Sequence, residues 1–198
     1  MAQVKKEDVR DAILESAFAL FSLKGYAQTT ISEIAAEAGH STSNIYVYFP
    51  SKLDILWAVM SPWLEAQFKA LEDEIDTIVS PRARVERLLE ALWSEIPAAD
   101  NNLAVNLLQG LALSEPQDNY SRELLLRLER RLSEMLYRAL PEERRVLLGD
   151  RDAFAHLVMM AFDGFVLCAR LKGRSARLEP VVALVTGFLL GEDQTAKN

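Results

Sequence analysis

The sequence predicts an all-α fold. Apolar residues recur at spacings of three and four along most of the chain, and no segment alternates with a period of two over strand length. Ser/Thr caps, glycines and prolines punctuate the chain at helix-length intervals. About nine helices are expected. The first three are expected to form an N-terminal unit, and a larger helical domain follows.

In the first helix, over about 6–23, Val9, Ile13, Ala17, Leu20 and Phe21 make one apolar stripe. Gly25 ends it, because a left-handed residue just past a helix favours glycine. Thr30-Ile31-Ser32-Glu33 is a capping-box pattern that opens a short helix over about 31–38, with Ile34, Ala35 and Ala38 inward. Gly39 closes it, and Ser41 caps another short helix over about 42–48. Pro50-Ser51 breaks the chain. Ser51 caps a long helix from Lys52 to about Val79, with Asp54 in its first turn and a bend expected at Pro62.

Ser80-Pro81 starts a fifth helix, expected to stop before Pro97. The remaining helices are expected at about 101–114, 119–139, 151–171 and 178–190. The breaks between them fall at Ser114–Gln117, Pro141, Gly149–Asp150 and Gly173–Ser175. The polar stretch 192–198 reads as a disordered tail. The expected domains are therefore 1–52 and 53–191.

Composition excludes several classes of function. At 198 residues the chain can bury a core without a disulfide or metal. Cys168 is the only cysteine, which suits a reducing cytoplasm. Residues 1–10 lack the apolar core of a signal peptide, and the apolar stretches near 157–171 and 181–190 are too short to span a membrane. There is no G-x-S-x-G, P-loop, G-x-G-x-x-G or zinc spacing, so no enzyme, metal or cofactor is expected. The net charge of −7 argues weakly against nucleic acid. Residues 1–52 carry five Lys/Arg and six Asp/Glu, net −1, so any DNA binding must come from a local motif.

Such a motif is present. Two short helices joined by Gly39-His40-Ser41 form a helix-turn-helix pattern. Thr42, Ser43 and Asn44 open the second helix with small polar groups able to reach base edges or phosphates. Tyr46 lies one turn beyond Thr42, and Tyr48 lies near the end. Ile45 and Phe49 read as anchors to the core. On spacing alone, a purely structural helical hairpin fits equally well.

Gly25-Tyr26, Thr29-Thr30-Ile31, Ile34-Ala35, Ala38-Gly39-His40-Ser41, Ile45-Tyr46-Val47-Tyr48-Phe49-Pro50-Ser51-Lys52 and Leu56 resemble the DNA-binding signature of the TetR family. The resemblance implies a transcription regulator that binds operator DNA. By matched position it implies DNA contacts from Thr30, Ser41, Thr42, Ser43, Asn44, Tyr46, Tyr48 and Lys52, with Tyr46 and Lys52 on phosphate. Lys5, Lys6 and Arg10 could add contacts from an N-terminal arm. The chain departs from the family at His40, where a small apolar residue is common, and at Ser43, where glycine is frequent. Both positions flank the bases, so no operator sequence carries over.

The resemblance also implies homodimerisation through the last two helices. Phe154, Val158, Phe162, Phe165, Val181, Val185 and Phe188 are the expected interface, because apolar residues cover more than one face of each helix. Trp57, Met60, Trp93, Asn106, Gln109, His156, Met160 and Asp163 are the candidate contacts to a small-molecule effector. They combine pliable apolar surface with polar groups set in apolar stretches. The expectation is a ligand-responsive repressor on palindromic DNA, with a hydrophobic or amphipathic effector. An activator, or a helical interaction protein with a vestigial helix-turn-helix, are the alternatives.

Overall fold

The computed structural model describes residues 2–113, 123–172 and 175–191. Among these residues every regular element is a helix. The tail at 192–198 and the break at Ser114–Gln117 lie outside the described residues. Among the described residues no helix is long and apolar enough to cross a membrane.

The helices are α1 (Ala2–Lys24), α2 (Ile31–Glu37), α3 (Thr42–Tyr48), α4 (Lys52–Thr77), α5 (Pro81–Glu90), α6 (Ile96–Ala99), α7 (Leu103–Leu113), α8 (Glu123–Ala139), α9 (Glu142–Arg145), α10 (Arg151–Lys172) and α11 (Leu178–Leu190). The chain divides into two compact units. One is Met1–Leu64 with Asp100–Tyr120, and the other is Glu65–Ala99 with Ser121–Asn198.

The first unit is larger than the 1–52 domain expected from sequence. It takes in the first half of α4 and recruits α7, which packs on α1. Its core is built from Ile13, Ala17, Phe21, Ile34, Ile45, Leu53 and Leu56, all buried. The caps predicted from sequence form as local chemistry dictates. Thr30 and Glu33 close both arms of a capping box at α2. Ser41 accepts the Asn44 N–H at α3. Ser51 accepts the Asp54 N–H and donates to the Asp54 carboxylate at α4.

The second unit packs α10 against α8 and α6, and α11 against α5. Here α5 departs from its expected end. The chain turns through a π-helical stretch, Ala91–Glu95, in which the Ile96 N–H bonds to the Ala91 carbonyl, and then continues as α6. Pro97 sits inside this helical run and does not end it. The widened turn leaves room for the ring, which has no N–H to donate. The short α9 also went unpredicted. It brings Arg144 to the end of α11, where the guanidinium donates to the carbonyls of Leu189 and Phe188.

Candidate nucleic-acid interface

The turn between α2 and α3 is fixed by backbone bonds. The His40 N–H donates to the Ala35 carbonyl at 2.8 Å, and the Gly39 N–H to Ala36 at 3.2 Å. Gly39 has φ +71, so this is a Schellman closure with its left-handed residue in place. The chain reverses within four residues, and α3 starts at once from the Ser41 cap.

The seven-residue α3 is two-faced. Ile45 is fully buried, and Phe49 behind it is 5% exposed. Ser43, Tyr46 and Val47 point outward, with Tyr46 at 55% and Val47 at 71% exposure. Thr42, Asn44 and Tyr48 are half-buried along its flanks. The outward set is one helical face, because positions 43, 46 and 47 share a side. Sequence reading missed Val47. The signal was available in its spacing of four from Ser43, on the side away from Ile45.

Other expected contacts are held by the fold. Ser41 is exposed and serves as the cap. Thr30 also donates its hydroxyl to Glu33. Glu33 is further bonded by Lys24, and these donors hold its carboxyl down at about 2. Lys52 folds back on the loop after α1. Its Nζ donates to the carbonyls of Tyr26 at 2.8 Å and Thr29 at 2.7 Å, and lies 4.1 Å from the Tyr26 ring centroid. Burial pushes its pKa below the usual lysine value. Lys52 is therefore a clamp on the loop after α1. Arg10 lies over the Phe49 ring at 5.5 Å. Lys6 is exposed, and the Lys5 side chain lies outside what is described.

A second clamp comes from α7. Asn106 Oδ1 accepts the Tyr26 N–H at 2.7 Å, and its Nδ2 donates to the Phe21 carbonyl at 3.1 Å. Gln109 accepts from the Ala27 N–H at 3.5 Å. A Cβ on Gly110 would stand 2.6 Å from Leu53 and 3.2 Å from the Tyr26 ring, so the close approach of α7 needs glycine. The sequence placed Asn106 and Gln109 at an effector. The structure corrects Asn106: its polar ends are committed to Phe21 in the last turn of α1 and to Tyr26 in the loop that precedes α2.

The remaining effector candidates divide between the units. Met60 is buried in the first unit, and half-buried Trp57 has its Nε1 enclosed without a partner. In the second, Trp93 stacks on Phe165 and donates to the Val158 carbonyl at 3.2 Å. His156 is exposed and bonded to Glu129 at 2.8 Å. Met160 and Asp163 are exposed too, and desolvation raises the Asp163 carboxyl pKa.

Two of the expected dimer residues also need correction. Val158 and Phe162 are buried within the unit itself, so they have no surface to offer. Phe154, Phe165, Val181 and Val185 are half-buried, and Phe188 is 70% exposed. The outward apolar residues of these helices are Leu157, Met160, Leu167, Leu184 and Phe188.

Residues 13–59 match the family model described as bacterial regulatory proteins, tetR family. The helix-turn-helix is that of the TetR family. The chain is 38% identical over 94 residues to the HTH-type transcriptional regulator HbdR of Aromatoleum sp. (strain CIB), and 30% identical over 87 residues to the HTH-type transcriptional repressor KstR2 of Mycobacterium tuberculosis (strain ATCC 25618 / H37Rv). These matches cover 48% and 44% of this chain but only 40% and 44% of the relatives. The whole fold resembles the transcriptional regulator FadR from Bacillus subtilis, solved in complex with stearoyl-CoA. That likeness has a TM-score of 0.60 at 20% identity and covers 90% of this chain and 96% of that one. The likeness in fold to FadR thus extends over both units, while sequence likeness to the curated regulators is confined to about half the chain.

Proposed function

We propose that this chain is a ligand-responsive transcriptional repressor that binds palindromic operator DNA as a homodimer. The observation that carries the reading is the outward face of α3. Ser43, Tyr46 and Val47 stand free on a short helix whose opposite side is anchored by Ile45 and Phe49, within a TetR-type helix-turn-helix. That face is the width a major groove admits. One such helix reads few base pairs. Two copies spaced by roughly 34–36 Å, one turn of DNA, give a specific site. The exposed Leu157, Met160, Leu184 and Phe188 supply the apolar surface a second copy would cover.

A small apolar or amphipathic effector releases the DNA in this reading. FadR from Bacillus subtilis, which shares the fold, binds stearoyl-CoA. The enclosed Trp57 N–H has no acceptor, and a ligand carbonyl would satisfy it. A coupling of about 1–3 kcal/mol between the two ligands suffices for a 5–150-fold change in affinity. One observation favours a helical interaction protein with a vestigial helix-turn-helix: Lys24 and Lys52 are both committed to protein partners, which leaves little free positive charge near α3.

Selection of bound duplexes from a random DNA pool separates the two. The repressor reading expects one palindromic site, lost with Tyr46→Ala. Recovery of no site by folded protein, with or without an effector screen, would favour the interaction protein.

A further inference from the structure

We propose that Val47 selects thymine in the operator, through contact with the thymine C5 methyl group. The inference rests on the operator-binding reading above and adds a specificity residue to it. A single exposed valine is ordinary on a protein surface. Val47 differs in its setting. It is the most exposed large apolar side chain of a seven-residue helix, at 71%, and its neighbours on that face are Ser43 and Tyr46. The helix already has its anchor in Ile45, which is fully buried, so packing does not use Val47. Helix propensity does not favour a β-branched residue there either.

The chemistry of the groove narrows the choice. Base edges in the major groove present donors and acceptors at every pair, but only thymine presents an apolar group. Ser43 carries a hydroxyl for the polar groups. Val47 carries two methyls and can match only the thymine methyl. In a helix valine holds one side-chain rotamer almost entirely, so its methyls are already placed before contact.

The test uses the full-length protein and the selected operator. Each dT is replaced in turn by dU, which removes the methyl and nothing else, and affinity is read by fluorescence anisotropy. Wild type should lose about three- to fivefold per half-site at one symmetry-related dT, the scale of one buried methyl. Val47→Ala should bind the dT and dU duplexes equally well, and Val47→Thr, which keeps one methyl, should recover part of the discrimination. Circular dichroism on both variants confirms the fold. The proposal is overturned if no dT shows a dependence on residue 47, or if the selected site contains no thymine within reach of α3. Failure to select any site would overturn the operator-binding reading itself.

Discussion

In the first unit, Asn106, Lys52, Thr29, Thr30, Ser41 and Ser51 bond backbone groups at helix ends and at the loop after α1. In the second, Glu65, Glu72 and Asp76 on α4 meet Arg127, Arg131 and Arg138 on α8 in a surface ion-pair ladder. The first arrangement is largely one of short-range bonds to backbone, several of them buried, and is indifferent to salt. The second is charged, half-exposed and screened by salt. A rigid frame around α3 suits the proposed role of presenting a fixed face to DNA.

The contrast breaks most sharply at Asn106. Asn106→Ala takes the acceptor from the buried Tyr26 N–H and leaves the Phe21 carbonyl with the Gly25 N–H alone, so it should cost about 2–3 kcal/mol. Amide exchange at Tyr26 should accelerate, and operator affinity should fall although Asn106 touches no DNA. Lys52→Met removes a donor from two carbonyls and should cost somewhat less, about 2 kcal/mol, by urea denaturation. Unchanged amide exchange at Tyr26 in the Asn106 variant would show that the clamp does not hold the loop.

The ladder predicts a smaller, pH-dependent effect. The hydrogen bond from Arg131 holds the Glu72 carboxyl below its ordinary 4.5. The folded chain therefore binds fewer protons at this site than the unfolded chain. The stabilisation is present above about pH 4.5 and fades as pH falls below it. Glu72→Gln should cost about 1 kcal/mol at neutral pH, and the gap from wild type should close in acid and in high salt. A gap that does not narrow as pH falls below about 4.5 would contradict the assignment.

The helix-turn-helix was legible in the sequence because its signals are local. Thr30-x-x-Glu33, Ser41 and Gly39 each fix a cap or a turn with partners a few residues away. The clamping roles of Lys52 and Asn106 were not legible because their partners lie 26 and 80 residues distant. A polar residue in an apolar stretch announces that it needs a partner but not which one. Val158 and Phe162 were placed at the dimer face for a related reason. On α10 and α11 apolar groups surround much of the helix, so periodicity alone does not separate Val158, facing inward, from Leu157, facing outward.

The central claim is that the free face of α3 reads DNA and the charged surface of the second unit does not. Operator affinity of Ser43→Asp beside Arg130→Glu tests it most directly, by anisotropy on the selected duplex. Both residues are exposed, so neither change disturbs a core. A carboxylate at position 43 would face phosphates and base acceptors, and affinity should drop about a hundredfold. Arg130→Glu should leave it unchanged. Equal losses, or a loss confined to Arg130→Glu, would contradict the account and move the DNA contact off α3.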